Sequence, residues 1–347
     1  MKKLTCKVCE FQAFNLEPHI NKVHSDKGGI AWYVAEFECD EFDIVARELV
    51  ESGEKVPTGK VRVGSVDMPT GLGGEHVPKA TPHYYFAPHT DNVCKDILEK
   101  KAVMLIGHTG TGKTSLITQI AARLNQPLLR VNMNGQTSVG DFVGLWTVKG
   151  GETVWVDGVL PLAMRMGYWL IVDEVSVAEA PNLSVLQSVL ESSDGTLTLK
   201  EKGHEVIVPH ENFRIFSTDN AAGSMSRFRH LYQGTNILNE AFLDRWRVYK
   251  IGYLPAAEEA KVLAASIPTS EKAAQVLVRV ANALRDGFER EELAQTFSLR
   301  RLIDWGQMIV RTKNALEAAE CTIFSKVSKE DAEVIKGVIS NIIPTRK

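Results

Sequence analysis

Residues 107–114 read Gly107-His108-Thr109-Gly110-Thr111-Gly112-Lys113-Thr114, set between an apolar run at 102–106 and a helical pattern at 115–124 that opens on Ser115. The spacing G-x-x-x-x-G-K-[ST] between a strand and a helix leaves few folds open. Its glycines let successive backbone N–H groups turn inward around an anion, and the following helix aims its partially positive N-terminus at the same point. Such a loop cradles phosphates. Lys113 reaches the β- and γ-phosphates of a nucleotide, and the Thr114 hydroxyl offers an oxygen ligand to Mg2+. The plainer reading is a glycine-rich turn with a solvated lysine, and the flanking strand and helix weigh against it.

A phosphate loop of this kind works with an acid at the end of a second apolar strand. Residues 168–174, YWLIVDE, end in two acids. Asp173 is placed to hold the water shell of Mg2+, and Glu174 to polarise an attacking water. An acid capping a helix, with an acidic neighbour, would look alike in isolation. The loop upstream is what gives the pair its meaning.

From about residue 90, apolar runs alternate with helical stretches, the pattern of an α/β fold built on a parallel sheet with crossover helices. Strands are expected at 101–106, 127–131, 169–172, 213–217 and 247–251. Two β-type stretches, 145–156 and 196–208, each fold about a glycine-containing turn and read as inserted hairpins. Beyond Pro255 the β signal ends, and four helical patterns follow at 256–266, 271–288, 299–319 and 329–342. The expected organisation is therefore a small module at 1–26, an acidic helix and flexible linker at 27–84, an α/β core at 85–254 and a helical domain at 255–347. The acidic helix rests on residues 36–54, where carboxylates crowd around Arg47 and Phe42, Val45 and Leu49 share one face. The linker rests on the glycines and prolines of 53–82, with a brief strand near 60–66.

The N-terminal module carries Cys6-x2-Cys9-x9-His19-x4-His24, the two-plus-two ligand logic of a tetrahedral zinc site. Thiolate and imidazole suit Zn2+, and its binding would supply folding energy that so short a segment cannot draw from a core. The middle spacing is shorter than the roughly twelve residues of the usual C2H2 pattern, which implies a truncated hairpin. Two free thiols and two surface histidines are the alternative. A lone finger offers few base contacts, and a protein contact suits it at least as well as DNA or RNA.

Taken together, the two nucleotide motifs, the stretch WVDGVLPLAMRMGYWLIVDEV, the strand FRIFSTDN, the segment LYQGTNILNEAFLDRW and SLRRLIDW resemble the AAA+ ATPases. The likeness is to their dynein-related and MoxR-like group, nearest to its CobS-type chelatase members. It covers residues 85 to 320 and implies a five-stranded P-loop core with inserted hairpins, capped by a helical lid. It further implies use of ATP and Mg2+, with Thr114 and Asp173 as the magnesium residues and Glu174 as the catalytic carboxylate that polarises the attacking water. On this likeness Asn220 corresponds to sensor 1, Arg245 to an arginine finger acting on a neighbouring subunit, and Arg300 to sensor 2, with Arg301 one residue away as the alternative. An asparagine ending a strand also suits a turn, and Arg245 also suits a surface ion pair with Asp244. Arg227 and Arg229 are further candidates for a subunit interface, with exposed solvated arginines the plainer reading, and Lys149 and His204, near the hairpin turns, are candidates for substrate contact that an exposed polar turn explains as well.

A trans-acting arginine implies a ring, a hexamer by resemblance, and a CobS-like system implies a partner carrying a von Willebrand A domain. The rival class is a nucleic-acid-associated ATPase recruited by the finger, and a switch with negligible turnover is a third. Composition bears on this choice: 43 acidic against 40 basic side chains give a net charge of −3, so nucleic-acid contact would have to be local. Five scattered cysteines fit a reducing cytoplasm. The N-terminus lacks the apolar stretch of a secretory leader, and no run is long enough to span a membrane.

Overall fold

The computed structural model describes residues 59–343 except 83, 135, 192–193, 221–235 and 237, and near the N-terminus residues 4–5, 9, 12–13 and 22–23. The chain divides into one unit over 1–59 and another over 60–347. In the first, strand β1 (Leu4–Thr5) pairs antiparallel with β2 (Gln12–Ala13). Cys9 is exposed. Cys6, His19, His24 and the acidic helix expected at 36–54 lie outside the described residues. Among the described residues, no group of three or more His, Cys, Asp or Glu is arranged to hold a metal ion.

The second unit begins with a hairpin, β3 (Lys60–Val63) and β4 (Val66–Pro69), followed by helix α1 (Thr90–Leu98), strand β5 (Val103–Ile106), α2 (Lys113–Leu124) and β6 (Leu128–Asn132). Helix α3 (Val139–Val143) leads into a hairpin of β7 (Gly144–Lys149) and β8 (Glu152–Asp157), then α4 (Val159–Met166) and β9 (Trp169–Asp173). Helix α5 (Ala180–Glu191) is followed by a hairpin of β10 (Leu197–Leu199) and β11 (Glu205–Ile207), then β12 (Arg214–Asp219), α6 (Glu240–Leu243) and β13 (Arg247–Lys250).

Five of these strands form one parallel sheet in the order β13-β5-β12-β9-β6. Its inner strands β5 and β9 are buried along their whole length because both faces are covered, whereas the edge strands β13 and β6 carry exposed Arg247, Lys250 and Arg130. Val103 and Leu105 of β5 point into a core with α1 and α2, whereas Met104 and Ile106 point into the core on the opposite face. The five strands expected from the apolar runs are all present. The inserted hairpins are likewise found, with β7 paired to β8 and β10 to β11.

Five further helices make a separate apolar core: α7 (Ala256–Ser266), α8 (Glu271–Glu289), α9 (Leu299–Thr312), α10 (Ala315–Thr322) and α11 (Lys329–Ile342). The single helix expected over 299–319 is therefore two. Lys313 takes a left-handed backbone with φ of 59°, and the Asn314 side chain accepts from the N–H groups of Leu316 and Glu317, which caps a new helix. Trp305, fully buried, donates its indole N–H to Ala315 O at 3.0 Å and holds the corner.

Composition predicts a flexible linker over 53–82 with a brief strand near 60–66; the structure has that strand as β3, pairs it with β4 and packs the hairpin. Val63 and Met68, alternate residues facing inward, are each 1% exposed and join the core of α1, α2 and β5. Gly71 and Gly73 donate their N–H groups to Leu124 O and Asn125 O, so the strip after the hairpin is tied to the end of α2. No helix among the described residues is long and apolar enough to cross a membrane.

Candidate functional site

Sheet order brings the sequence motifs together. Strand β12 lies between β5 and β9, so the residue leaving β12 sits between the loop that follows β5 and the acids that end β9, at the carboxyl edge where open α/β sheets bind ligands. That residue is Asn220. Its Oδ1 accepts from Lys113 Nζ at 2.9 Å, and its Nδ2 donates to Glu174 Oε1 at 3.5 Å, a long contact. Lys113 Nζ also donates to Gly107 O at 2.7 Å and His108 O at 3.0 Å, folding the lysine under its own loop. Burial pulls the Lys113 pKa down to about 8, against the opposing pull of Asp219, Asp173 and Glu174. Glu174 closes β9 with a left-handed backbone, φ 56°, which costs about 1–2 kcal/mol in a residue other than glycine.

Asp173 is 2% exposed, and a carboxylate so buried needs compensation on both oxygens. Oδ1 accepts from the hydroxyls of Thr114 at 2.8 Å and Thr218 at 2.5 Å, and Oδ2 pairs with Arg130 Nε on neighbouring β6. The donor set fits Mg2+, a hard cation that takes oxygen ligands and keeps part of its water shell. Thr114 gives its hydrogen to Asp173 and retains its lone pairs for a metal, while the carboxylate can accept from metal-bound water.

Gly112, with φ of +89°, forms the N-cap of α2, and Gly110, with φ of +75°, has no room for a Cβ against Ser298, the N-cap of α9. The helical region therefore touches the loop directly. His108 lies 3.4 Å from Glu289 Oε1 and edge-on to Phe288 of α8; burial lowers its pKa, partly offset by Glu289. Thr111 is buried, its hydroxyl donating to His108 O at 2.9 Å, while Thr109 and Ser115 are exposed. Beside Thr111, Gly112 and Leu116 opens a cavity of about 210 Å³, walled by residues 84–85 and 87–89 and by the connection 251–255. Tyr84, Tyr85, His89 and Tyr253 give it flat aromatic walls of the kind that accept a nucleobase.

Arg245 does not join this cluster. Its guanidinium pairs with Glu191 at the end of α5 and with Ala241 O, not with Asp244. Arg300 is exposed on α9, whereas Arg301 is half-buried, donates to Gln295 Oε1 at 3.1 Å and lies over the Phe297 ring. Lys149 and His204 are exposed at their hairpin turns. Arg227 and Arg229 lie outside the described residues.

Sequence reasoning passed over Arg130, Tyr253, Arg285 and the aromatic wall at 84–89. Arg285 left a signal, a cation on the apolar face of α8 that also carries Ala281, Leu284 and Phe288. It forms a two-pronged pair with Glu259 of α7, both N···O distances 2.7 Å, with the side chains 7% and 1% exposed. Tyr84–Tyr85–Phe86 is visible as an aromatic run before α1. Arg130 and Tyr253 carry no pattern of their own, because their partners are distant in sequence.

Comparison with known proteins agrees with this geometry. The AAA domain of the dynein-related subfamily matches residues 102–245, and the C-terminal domain of CbbQ, NirQ and NorQ matches residues 259–344. The chain is 37% identical over 246 residues to the aerobic cobaltochelatase subunit CobS of a Sinorhizobium species, covering 68% of this chain and 73% of that protein. It is 28% identical to protein NorQ of Paracoccus denitrificans, over 73% of this chain and 91% of NorQ. Midasin of Dictyostelium discoideum is 26% identical over 77% of this chain, which spans 5% of midasin. The site is that of an ATPase-type nucleotide-binding protein, and its AAA domain implies use of ATP and Mg2+.

Proposed function

The chain belongs to the dynein-related AAA family, and on that premise we propose that it hydrolyses ATP to ADP and phosphate with Mg2+ and works in a hexameric ring that remodels a partner protein. The observation that carries this reading is Asn220, whose one amide contacts both the phosphate-reaching Lys113 and the water-polarising Glu174. In this reading Lys113 and the 107–114 loop bind the triphosphate, while Thr114 and Asp173 hold Mg2+, which neutralises phosphate charge. Glu174 draws the proton from the attacking water, and Asn220 orients both. Arg301, rather than Arg300, serves the nucleotide from the helical lid, because it is the half-buried member of the doublet and donates to Gln295, the neighbour of the Thr296 that meets Tyr253. Arg245 serves the site of a neighbouring subunit.

The named relative is a cobaltochelatase subunit, and by analogy we place this chain in a chelatase-type assembly with a partner bearing a von Willebrand A domain. Cys6, Cys9, His19 and His24 are proposed as a structural zinc site. Support comes from the antiparallel pairing of residues 4–5 with 12–13 on either side of the two cysteines, and from the helical residues 22–23 between the two histidines. Elemental analysis of chelator-free protein should return about one zinc per chain; none would remove the site.

The test of the main reading is a pair of variants. Lys113→Ala should bind no ATP, and Glu174→Gln should bind ATP but turn it over at least about a hundredfold more slowly. Wild-type turnover by Glu174→Gln would exclude its assigned role.

A further inference from the structure

Tyr253 lies in the connection between the last sheet strand and the first lid helix, where nothing in the sequence patterns singles it out. Its hydroxyl has one hydrogen to give. That hydrogen goes to Thr109 O at 3.1 Å, inside the phosphate loop, so the 2.9 Å contact with Thr296 Oγ1 is one in which Thr296 donates. Its ring lies under the Arg285 guanidinium, 3.8 Å from centroid to carbon, and Arg285 is itself fixed by Glu259 and by Phe297 O at 2.8 Å. One side chain therefore joins the phosphate loop to α7, α8 and the segment that starts α9. The same ring walls the cavity beside the loop.

A peptide group is planar, and its C=O and N–H point in opposite directions. Holding Thr109 O outward on Tyr253 therefore turns the Gly110 N–H of the same plane to the opposite, inner side of the loop. Gly110 takes a φ of +75°, a backbone conformation that favours glycine. We propose that Tyr253 is a positioning residue that fixes the Thr109–Gly110 peptide for phosphate binding and lets the lid, through Arg285 and Thr296, set how well the loop is organised. The proposal rests on the nucleotide reading of the 107–114 loop. It extends that reading to a residue outside the motifs and to a route by which lid attitude reaches the phosphates.

Tyr253→Phe keeps the ring, its stacking on Arg285 and the cavity wall, and removes only the hydroxyl. Titration with a fluorescent ADP should show binding about three- to tenfold weaker, the scale of one lost hydrogen bond. The melting temperature without nucleotide should stay within about 3 °C of wild type. KM for ATP should rise by a similar factor, with kcat at saturation within about twofold. Thr296→Val should weaken ADP binding in the same direction, and the double variant should bind no more weakly than Tyr253→Phe alone, because both act through one hydroxyl. ADP affinity unchanged in Tyr253→Phe would overturn the proposal, as would a double variant whose losses simply add. If Lys113→Ala also bound ADP normally, the nucleotide reading itself would fall; if Lys113→Ala abolished binding while Tyr253→Phe left it intact, only the role of Tyr253 would.

Discussion

Lys113 is buried against two loop carbonyls and the Asn220 amide, none of which carries a formal charge, and this is why its pKa falls to about 8 despite three nearby acids. A nucleotide changes that balance, because phosphate charge beside the ammonium restores its ordinary basicity. Binding must then take up a proton wherever the free protein has lost it, from about pH 8 up to the ordinary lysine value of about 10.5. ADP affinity should be flat below pH 7.5 and about tenfold weaker at pH 9, read as Kd across a pH series. A Kd that did not move would mean that Lys113 stays charged without ligand. The sign for folding is opposite. In the same window the unfolded chain holds the proton that the folded chain has released, so this group makes the nucleotide-free fold more stable as pH rises. Lys113, Asp173 and Glu174 were legible as residues because spacing relative to strand ends defines them. Asn220 was open to a turn reading until β12 was found between β5 and β9. Arg130 and Tyr253 acquire meaning only from neighbours that the fold brings close.

At the scale of elements, the hairpin of β3 and β4 shows where composition misleads. Glycine and proline counts report turns, and turns were plentiful between 53 and 82, but the inward residues Val63 and Met68 needed only short strands to reach the core. Truncating Met68 should cost about 2–5 kcal/mol, the range for emptying a fully buried methionine site. Denaturant unfolding of Met68→Ala would measure it, and a loss under about 0.5 kcal/mol would return the segment to the status of a linker. The sheet strands, by contrast, were readable nearly to the residue, because the inner strands β5 and β9 are apolar on both faces and all end where the chain must turn. Helices α9 and α10 read as one because their apolar positions stay in phase across the corner. The break depends on the backbone of Lys313 and the cap at Asn314, which no hydrophobic period encodes.

At the scale of the whole molecule, the sheet and the lid have separate apolar cores, and the cavity beside the phosphate loop is walled by the connection 251–255 that joins them. Arg245 belongs to neither wall of that cavity. Within one chain its bonds go to Glu191 and Ala241, and on the proposed reading the phosphate it serves belongs to a neighbouring copy. In a ring with head-to-tail contacts each subunit then owns one half of a site and lends the other half to its neighbour. Arg245→Ala subunits would keep their own Glu174 but disable the neighbour's site, and Glu174→Gln subunits would do the reverse. Each variant alone should be nearly inactive. Mixed in equal amounts and allowed to reassemble, a site is complete when an Arg245→Ala subunit receives its arginine from a Glu174→Gln neighbour. Random assembly makes that arrangement about one in four, so turnover should recover to about a quarter of wild type, whereas an arginine acting within its own chain would give no recovery at any ratio.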